Sequence, residues 1–579
     1  MKQIPPHIKK YVAEQHYDRY TPINHAVWRY VMRQNHHALK DRAHPAFVEG
    51  LRSSGIEMER LPRVSEMNNC LAKIGWGAVI VNGLIPGAVF YELLASGILP
   101  IAAEIRKLTN IEYTPAPDII HEAAGHAPIL FDPEYRAYVQ QIGEIGTKAF
   151  SMKERGEAFE ALRQLTIVME DPASTEEEKA AAQQLVLEKQ RAVVELSEAE
   201  QVSRLFWATV EYGLIGDLED PRIYGAGLLS SVGESKHCFT DAVVKLPYSV
   251  EACAASPKIV TEMQSKLFVC QSFDELKAGA EALARTMAYR VGGTESLQKA
   301  KRSKQVATFE LNSGLCVSGI VSEIITDSTG EAIYVKTGGE TALSAWKQQL
   351  PGHGSDYHAR GFGTPIGLLR GGIALEGCDD DALAKLGVIM GNAAKLVFAS
   401  GVEVDGQVKH ILRQNTALLL ISFDDCIVTL AETVLFKKEW GTCDLAVGSR
   451  IVSAYPGAAD PEAYYHAEAA TEELAAQPDQ DPEQQTPLSA LDQLYQQVAM
   501  IRAQRVMDES NMQALIALHQ ELVDNHPSDW LLRMELLELV VDYPELAGLE
   551  EQLQEELSSL SQDPALTNLI VNGLAVIDA

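Results

Sequence analysis

Apolar residues recur every three to four positions over HAVWRYVMRQNHHAL and its surroundings. With Pro45 and Pro62 as breaks, this predicts a mostly helical stretch over residues 1–75. At GWGAVIVNGLIPGAVF the pattern becomes an apolar run broken by glycine and proline, which predicts a short strand and a loop, with a helix over YELLASGILPIAAEIRK behind it. Residues 151–202 read as two charged amphipathic helices forming a hairpin, with Ser174 or Thr175 capping the second ahead of Glu176. A strand, KLFVC, and an amphipathic helix follow before residue 300. Residues 305–455 alternate apolar and polar positions and are rich in β-branched residues, which predicts a barrel or sandwich; Asp405-Gly406 is the expected hairpin turn. Residues 456–486 are rich in Pro, Ala and acids and read as a linker. Helical periodicity returns over 487–579, broken at HPSD and YPEL, without a 34-residue repeat. The expected architecture is multidomain: a mainly α domain over residues 1–300, a β-rich domain over 305–455, and a C-terminal helical domain after the linker.

Chemistry concentrates in YTPAPDIIHEAAGHAP, residues 113–128, where His121 and His126 bracket Glu122. Residues five apart on a regular α-helix point about 140° away from each other. If both imidazoles serve one metal, the helix is expected to end between them, with Gly125 left-handed and Pro128 unable to continue it. Stray surface or core histidines are the ordinary reading of such a pair. A third ligand is expected in Glu211, because a lone carboxylate in the apolar stretch SRLFWATVEYGL costs several kcal/mol unless paired or metal-bound. Two imidazoles and one carboxylate leave coordination positions open and suit an Fe(II) that activates oxygen. His353 and His358 repeat the i, i+5 spacing in PGHGSDYHARGFG, but the glycines there point to a loop, and the pair reads as incidental.

Three blocks in order, YTPAPDIIHEAAGHAPIL, LFWATVEYGL and IYGAGLLSSVGE, resemble the catalytic domain of the pterin-dependent aromatic amino acid hydroxylases, and the resemblance covers about half the chain. It implies an iron- and tetrahydropterin-dependent monooxygenase, of phenylalanine 4-monooxygenase type, that uses O2 to hydroxylate the ring of a free aromatic amino acid. The expected substrate is phenylalanine, with tryptophan as the alternative. The resemblance places Phe90 and Glu122 at the pterin, Phe90 alternatively being a core aromatic. It places Arg106 at the substrate carboxylate, a role suited to a planar guanidinium. Thr114, Pro115 and Asp118 fall along the amino-acid wall, Asp118 alternatively being only a helix cap. Phe206 and Trp207 line the ring pocket or the core. Ser230, and less directly Glu234, fall behind a metal-binding histidine. Three features depart from the family pattern: Ala88 and Val89 before Phe90, Pro100 where some members carry histidine, and the length of 151–202.

Composition narrows the partners. The net charge is −31, and residues 461–579 hold 23 Asp and Glu against three Arg and no Lys. This disfavours nucleic acid and anionic membranes. No apolar run is long enough to span a bilayer, and the N-terminus lacks the apolar core of a signal peptide, so a cytoplasmic location is expected. Eight scattered cysteines without a CxxC pair read as reduced thiols. The C-terminal helices are candidates for self-association. An interaction scaffold with a vestigial site is the contrasting functional reading.

Overall fold

The structure, a computed structural model, describes residues 2–577 apart from 82, 84, 109–110, 112–117, 171–173, 194, 260–261, 415 and 466–486. Thr114, Pro115 and most of the expected linker lie outside the described residues. The chain divides into two compact units: residues 1–144, 204–279 and 476–579 form one, and 145–203 with 280–475 the other.

In the first unit, Thr21 and Asn24 form a capping box at the start of helix Pro22–Leu39, and Pro22 takes the first helical position, where its missing N–H is not needed. A small sheet runs Val12–Ala13, Gly77–Val81, Ile98–Ala102, the last two strands parallel. The helix expected from Tyr91 to Lys107 is therefore corrected. Helix Gly87–Ala95 stops at Gly97 (φ +68°), and ILPIA continues as a strand whose apolar side chains are buried. Pro100 is accommodated because this is an edge strand. A second sheet has the order Pro221–Ile223, Leu214–Gly216, Lys266–Cys270, Val244–Pro247.

The C-terminal helices belong to the same unit. Helices Ala490–Gln504, Trp530–Val540 and Thr567–Ile577 pack on Pro22–Leu39. Tyr30 meets Trp530 edge to face and donates its hydroxyl to the Leu569 carbonyl. Arg29 forms a buried two-pronged pair with Glu535. Part of the apolar surface of these helices is thus packed against Pro22–Leu39.

In the second unit, helices Lys153–Glu170 and Glu176–Arg191 lie against each other, and Thr175 with Glu178 closes a capping box at the second. Two antiparallel sheets follow. One has the order Gln348–Gln349, Ala332–Ala345, Leu315–Thr326, Val306–Leu311, Ile451–Pro456, with Phe362–Pro365 on Ala332–Ala345. The other has the order Ala393–Val397, Val402–Gln414, Ala417–Leu430, Thr433–Phe436, with Cys443–Ala446 on Ala417–Leu430. Asp405 and Gly406 do not turn a hairpin. They lie inside Val402–Gln414, paired with Lys395 and Ala394, and the register slips against Ala417–Leu430 between Asp405 and Gln407. The Asp-Gly pair here marks a bulge, where glycine lets the backbone approach Cys426. All eight cysteines are free thiols. No helix among the described residues is long and apolar enough to cross a membrane.

Candidate active site

His121 and His126 do not flank a helix end. Residues His121–His126 form a π-helical turn, closed by the Ala127 N–H on the Glu122 carbonyl, and the helix runs on through Ala127–Ile129. A π turn bonds residue i to i+5, so side chains five apart share a face, which a regular helix forbids. The expectation of a left-handed Gly125 is corrected too. Gly125 is there for closeness, since a Cβ on it would stand 2.6 Å from the Ala226 carbonyl oxygen.

The third side chain arrives by the same device. Trp207–Glu211 is a second π turn, closed by the Tyr212 N–H on the Trp207 carbonyl at 3.1 Å. The Gly-rich segment after Tyr224 crosses it at close range: a Cβ on Gly225 would lie 2.5 Å from the Glu211 carbonyl oxygen.

The result is a tight triangle. His121 Nε2 and His126 Nε2 are 3.2 Å apart, His121 Nε2 lies 3.1 Å from Glu211 Oε2, and His126 Nε2 lies 3.3 Å from Glu211 Oε1. Atoms bound to one ion at ~2.1 Å stand ~3.0 Å apart at a right angle and ~3.4 Å apart at a tetrahedral one, so these spacings suit a single metal. Burial opposes charge on Glu211, but the two imidazoles outweigh it and hold the carboxyl well below its usual range, ionised as a ligand must be.

Around the triangle the other expected residues take distinct places. Ser230 Oγ lies 3.0 Å from His121 Nδ1 and donates to the Ala226 carbonyl, which leaves His121 Nε2 turned to the centre. Ser230→Ala is expected to weaken metal affinity by ~10–100-fold, read by competition with a chelator. Glu122 is buried 3.8 Å from His126 Nε2, and its Oε2 has no hydrogen-bond partner. Burial first, and then the Glu211 and Asp118 carboxylates, push it up to about 8 despite His126. Glu122 is thus a buried carboxyl, without a hydrogen-bond partner on Oε2, beside the His126 ring.

Arg106 is buried, and Asp118 takes up most of its fork: Nε to Oδ2 and Nη2 to Oδ1, each at 2.8 Å. Among the described residues, Nη1 is held more loosely, by the Ile111 and Ser230 carbonyls at 3.3 and 3.4 Å. Asp118 also accepts the His121 N–H, so it is both the partner of Arg106 and a brace at the start of the metal turn.

Phe206 stacks on His126 at 6.5 Å, and Phe90, on helix Gly87–Ala95, meets Phe206 edge to face at 5.4 Å. Trp207 turns elsewhere. Its indole N–H donates to Gln264 Oε1 and its ring lies on Tyr212. Glu234 stands behind that group, accepting the Gln264 backbone N–H.

Burial raises Glu234 to about 7. A carboxyl raised in the fold keeps a proton that the unfolded chain releases, so stability falls as pH rises from the unfolded value to about 7 and is flat above. Glu234→Gln keeps the acceptor and cannot ionise. It is expected to add about 3 kcal/mol at pH 8 and nothing near pH 4.5, read as the difference in unfolding midpoints at the two pH values.

Two imidazoles and a carboxylate brought together, with a buried carboxyl alongside and an aromatic wall, could hold a single metal ion. The comparisons say which kind. The model of the biopterin-dependent aromatic amino acid hydroxylase family matches residues 9–155 and 180–296. The phenylalanine-4-hydroxylase of Chromobacterium violaceum is 30% identical over 268 residues, covering 46% of this chain and 75% of the relative. That of Pseudomonas aeruginosa is 28% identical over 272 residues, covering 46% and 87%. A crystal structure of the Chromobacterium violaceum enzyme with iron(III) and 7,8-dihydrobiopterin aligns over 49% of this chain and 92% of that one, at 26% identity and a TM-score of 0.38. The chain belongs to the biopterin-dependent aromatic amino acid hydroxylases and is a pterin-dependent monooxygenase. The gap in the family match, between 155 and 180, falls on the paired helices of the second unit.

Proposed function

We propose that the protein hydroxylates free phenylalanine to tyrosine, with Fe(II) held by His121, His126 and Glu211. The observation that carries this reading is the convergence of those three side chains from two π turns. Iron and tetrahydropterin together supply the reduction and activation of O2; the chain's own residues supply placement. Ser230 fixes the His121 ring. Asp118 holds the Arg106 guanidinium so that Nη1, the weakly bonded corner, meets the amino acid's carboxylate. Phe206 forms the wall for the substrate ring, and Phe90, beyond it, offers a face to the pterin. Glu122, whose buried Oε2 has no hydrogen-bond partner in the protein, would bond the pterin.

Phenylalanine is favoured over tryptophan by the apolar wall of Phe90 and Phe206 and by the similarity to phenylalanine-4-hydroxylases. We assign the catalytic role to residues 1–300, with 305–455 and 487–579 as additions to it and the cytoplasm as its location. Product analysis with phenylalanine, tryptophan, tetrahydropterin, O2 and Fe(II) tests the reading. Tyrosine is expected as the main product. An equal or greater rate with tryptophan overturns the substrate, and turnover without any pterin overturns the mechanism.

A further inference from the structure

The β-rich unit contains a second convergence of ligand-type side chains, one that the hydroxylase chemistry does not use. His353 and His358 lie on the connection between strands Gln348–Gln349 and Phe362–Pro365, and Asp444 lies on strand Cys443–Ala446. The i, i+5 spacing of the histidines is visible in the sequence; Asp444, far along the chain, is what the fold adds.

His353 Nδ1 is 3.4 Å from His358 Nε2, and Asp444 Oδ2 lies 3.8 Å from the first and 3.9 Å from the second. These distances are informative in two ways. They are too long for hydrogen bonds to the carboxylate, so Asp444 Oδ2 is buried with no hydrogen-bond partner while it faces two ring nitrogens. They also sit at and slightly beyond the ~3.4 Å edge of a tetrahedron with ~2.1 Å bonds, wider than the 3.1–3.3 Å of the iron triangle.

The surroundings hold the three groups in place. Ser422, opposite Asp444 in the strand register, donates its hydroxyl to Asp444 Oδ1 and so leaves Oδ2 for the histidines. Backbone bonds from His353 N to Leu350 O and from His358 N to Gly354 O shape the histidine segment. The imidazoles lie stacked at 5.6 Å and 20°, and Tyr357, half exposed, covers both rings at 5.3 and 4.7 Å. The site is therefore buried on the sheet side and close to solvent on the other.

We propose that His353, His358 and Asp444 bind a divalent transition-metal ion of tetrahedral preference, Zn(II) by its affinity for imidazole and carboxylate, independently of the catalytic iron. Three protein ligands leave the fourth position to water or an anionic ligand. The ion would satisfy the orphaned carboxylate oxygen and pin the histidine segment to the sheet.

The test uses the full chain carrying Glu211→Ala, which removes one ligand of the catalytic centre, stripped of metal and titrated with Co(II) as a visible probe of coordination. One equivalent is expected to bind with the intense absorption of a four-coordinate site, and Zn(II) should displace it. Asp444→Asn or His358→Gln in the same background is expected to weaken that binding by more than ~100-fold, since each removes a ligand rather than a supporting group. On the otherwise unaltered chain the same two substitutions should leave pterin-dependent turnover with added Fe(II) unchanged. The proposal is overturned if the Glu211→Ala chain binds no Co(II), if the bound Co(II) has the weak absorption of a six-coordinate aquo-like ion, or if binding survives both ligand substitutions. The first two outcomes are read without altering the site itself.

Discussion

Alanine in place of Glu211 is expected to give a folded chain with less than ~1% of the hydroxylation activity and at least ~100-fold weaker binding of Fe(II) at the catalytic triangle. The two halves of that expectation have different physical origins. The carboxylate is buried between two imidazoles and kept ionised by them, so its stabilising partners among the described residues are the groups that would share the metal. Removing it removes a desolvated charge together with its interactions, and the apo fold should lose little. The holo site loses one ligand of three, and with it the negative charge that offsets Fe(II) in a buried position. Glu211→Asp tests geometry separately. It keeps the charge but draws the oxygens back by about one C–C bond, ~1.5 Å, more than the site can absorb without moving the turn that Gly225 packs against. Iron content after desalting and tyrosine formation with saturating tetrahydropterin measure both effects. A scaffold with a vestigial site would lose nothing on Glu211→Ala, and stoichiometric iron with full turnover in that variant would move the third ligand elsewhere.

The residues of this site were legible in the sequence to very different degrees. The histidine pair, Glu211 and Ser230 stood out because three short blocks resemble one family in order, and a carboxylate in an apolar helical stretch asks for a partner on physical grounds alone. The backbone that brings them together was not legible. A π turn differs from an α turn by a slip of one residue in a few hydrogen bonds, and no residue type encodes it as glycine encodes a left-handed cap. The sequence therefore points to a helix end where a π turn stands. ILPIA reads equally as a short buried strand or as part of a helix, and only pairing with Gly77–Val81 decides. Asp405-Gly406 marked a backbone irregularity correctly but its kind wrongly, since the partner strand that makes it a bulge lies at Ala417–Leu430. Asp444 had no signal of its own: an acid in a β-strand gains meaning only when a distant loop brings two imidazoles to it.

The least legible feature has a large expected effect. Glu535→Ala is expected to destabilise the first unit by about 3–5 kcal/mol, because it strands a buried Arg29 without its counter-charge. Arg29 and Glu535 are 506 residues apart, with side chains 4% and 3% exposed, and Arg29 Nε and Nη2 both reach the carboxylate. The loss extends past one pair. Arg502 approaches the same carboxylate at 3.7 Å, and Arg33 and Arg502 share Glu538, so removing Glu535 leaves three guanidiniums around one remaining C-terminal acid. Burial disfavours the charged form of Glu535, yet Arg29 and Arg502 hold its carboxyl below the ordinary value. The stabilisation is accordingly complete above the unfolded-state pKa and disappears as pH falls through the lowered folded one, so the C-terminal helices should loosen in acid. Replacing both partners with apolar residues, Arg29→Met with Glu535→Leu, is expected to recover most of the loss, since no charge is then left buried. The consequence reaches the catalytic centre along the helix that carries Arg29. Asn35, further along Pro22–Leu39, donates its amide to the Leu229 carbonyl, next to the serine that orients His121. Lys236 bonds Asn572 on the last helix. Glu535→Ala should therefore lower both the unfolding midpoint and the iron affinity, and the apolar pair should restore both together. An unchanged midpoint in Glu535→Ala would show that the buried pair does not hold these helices to the hydroxylase fold. A lowered midpoint with unaltered iron affinity would show that the C-terminal helices stabilise the unit without bracing its metal site.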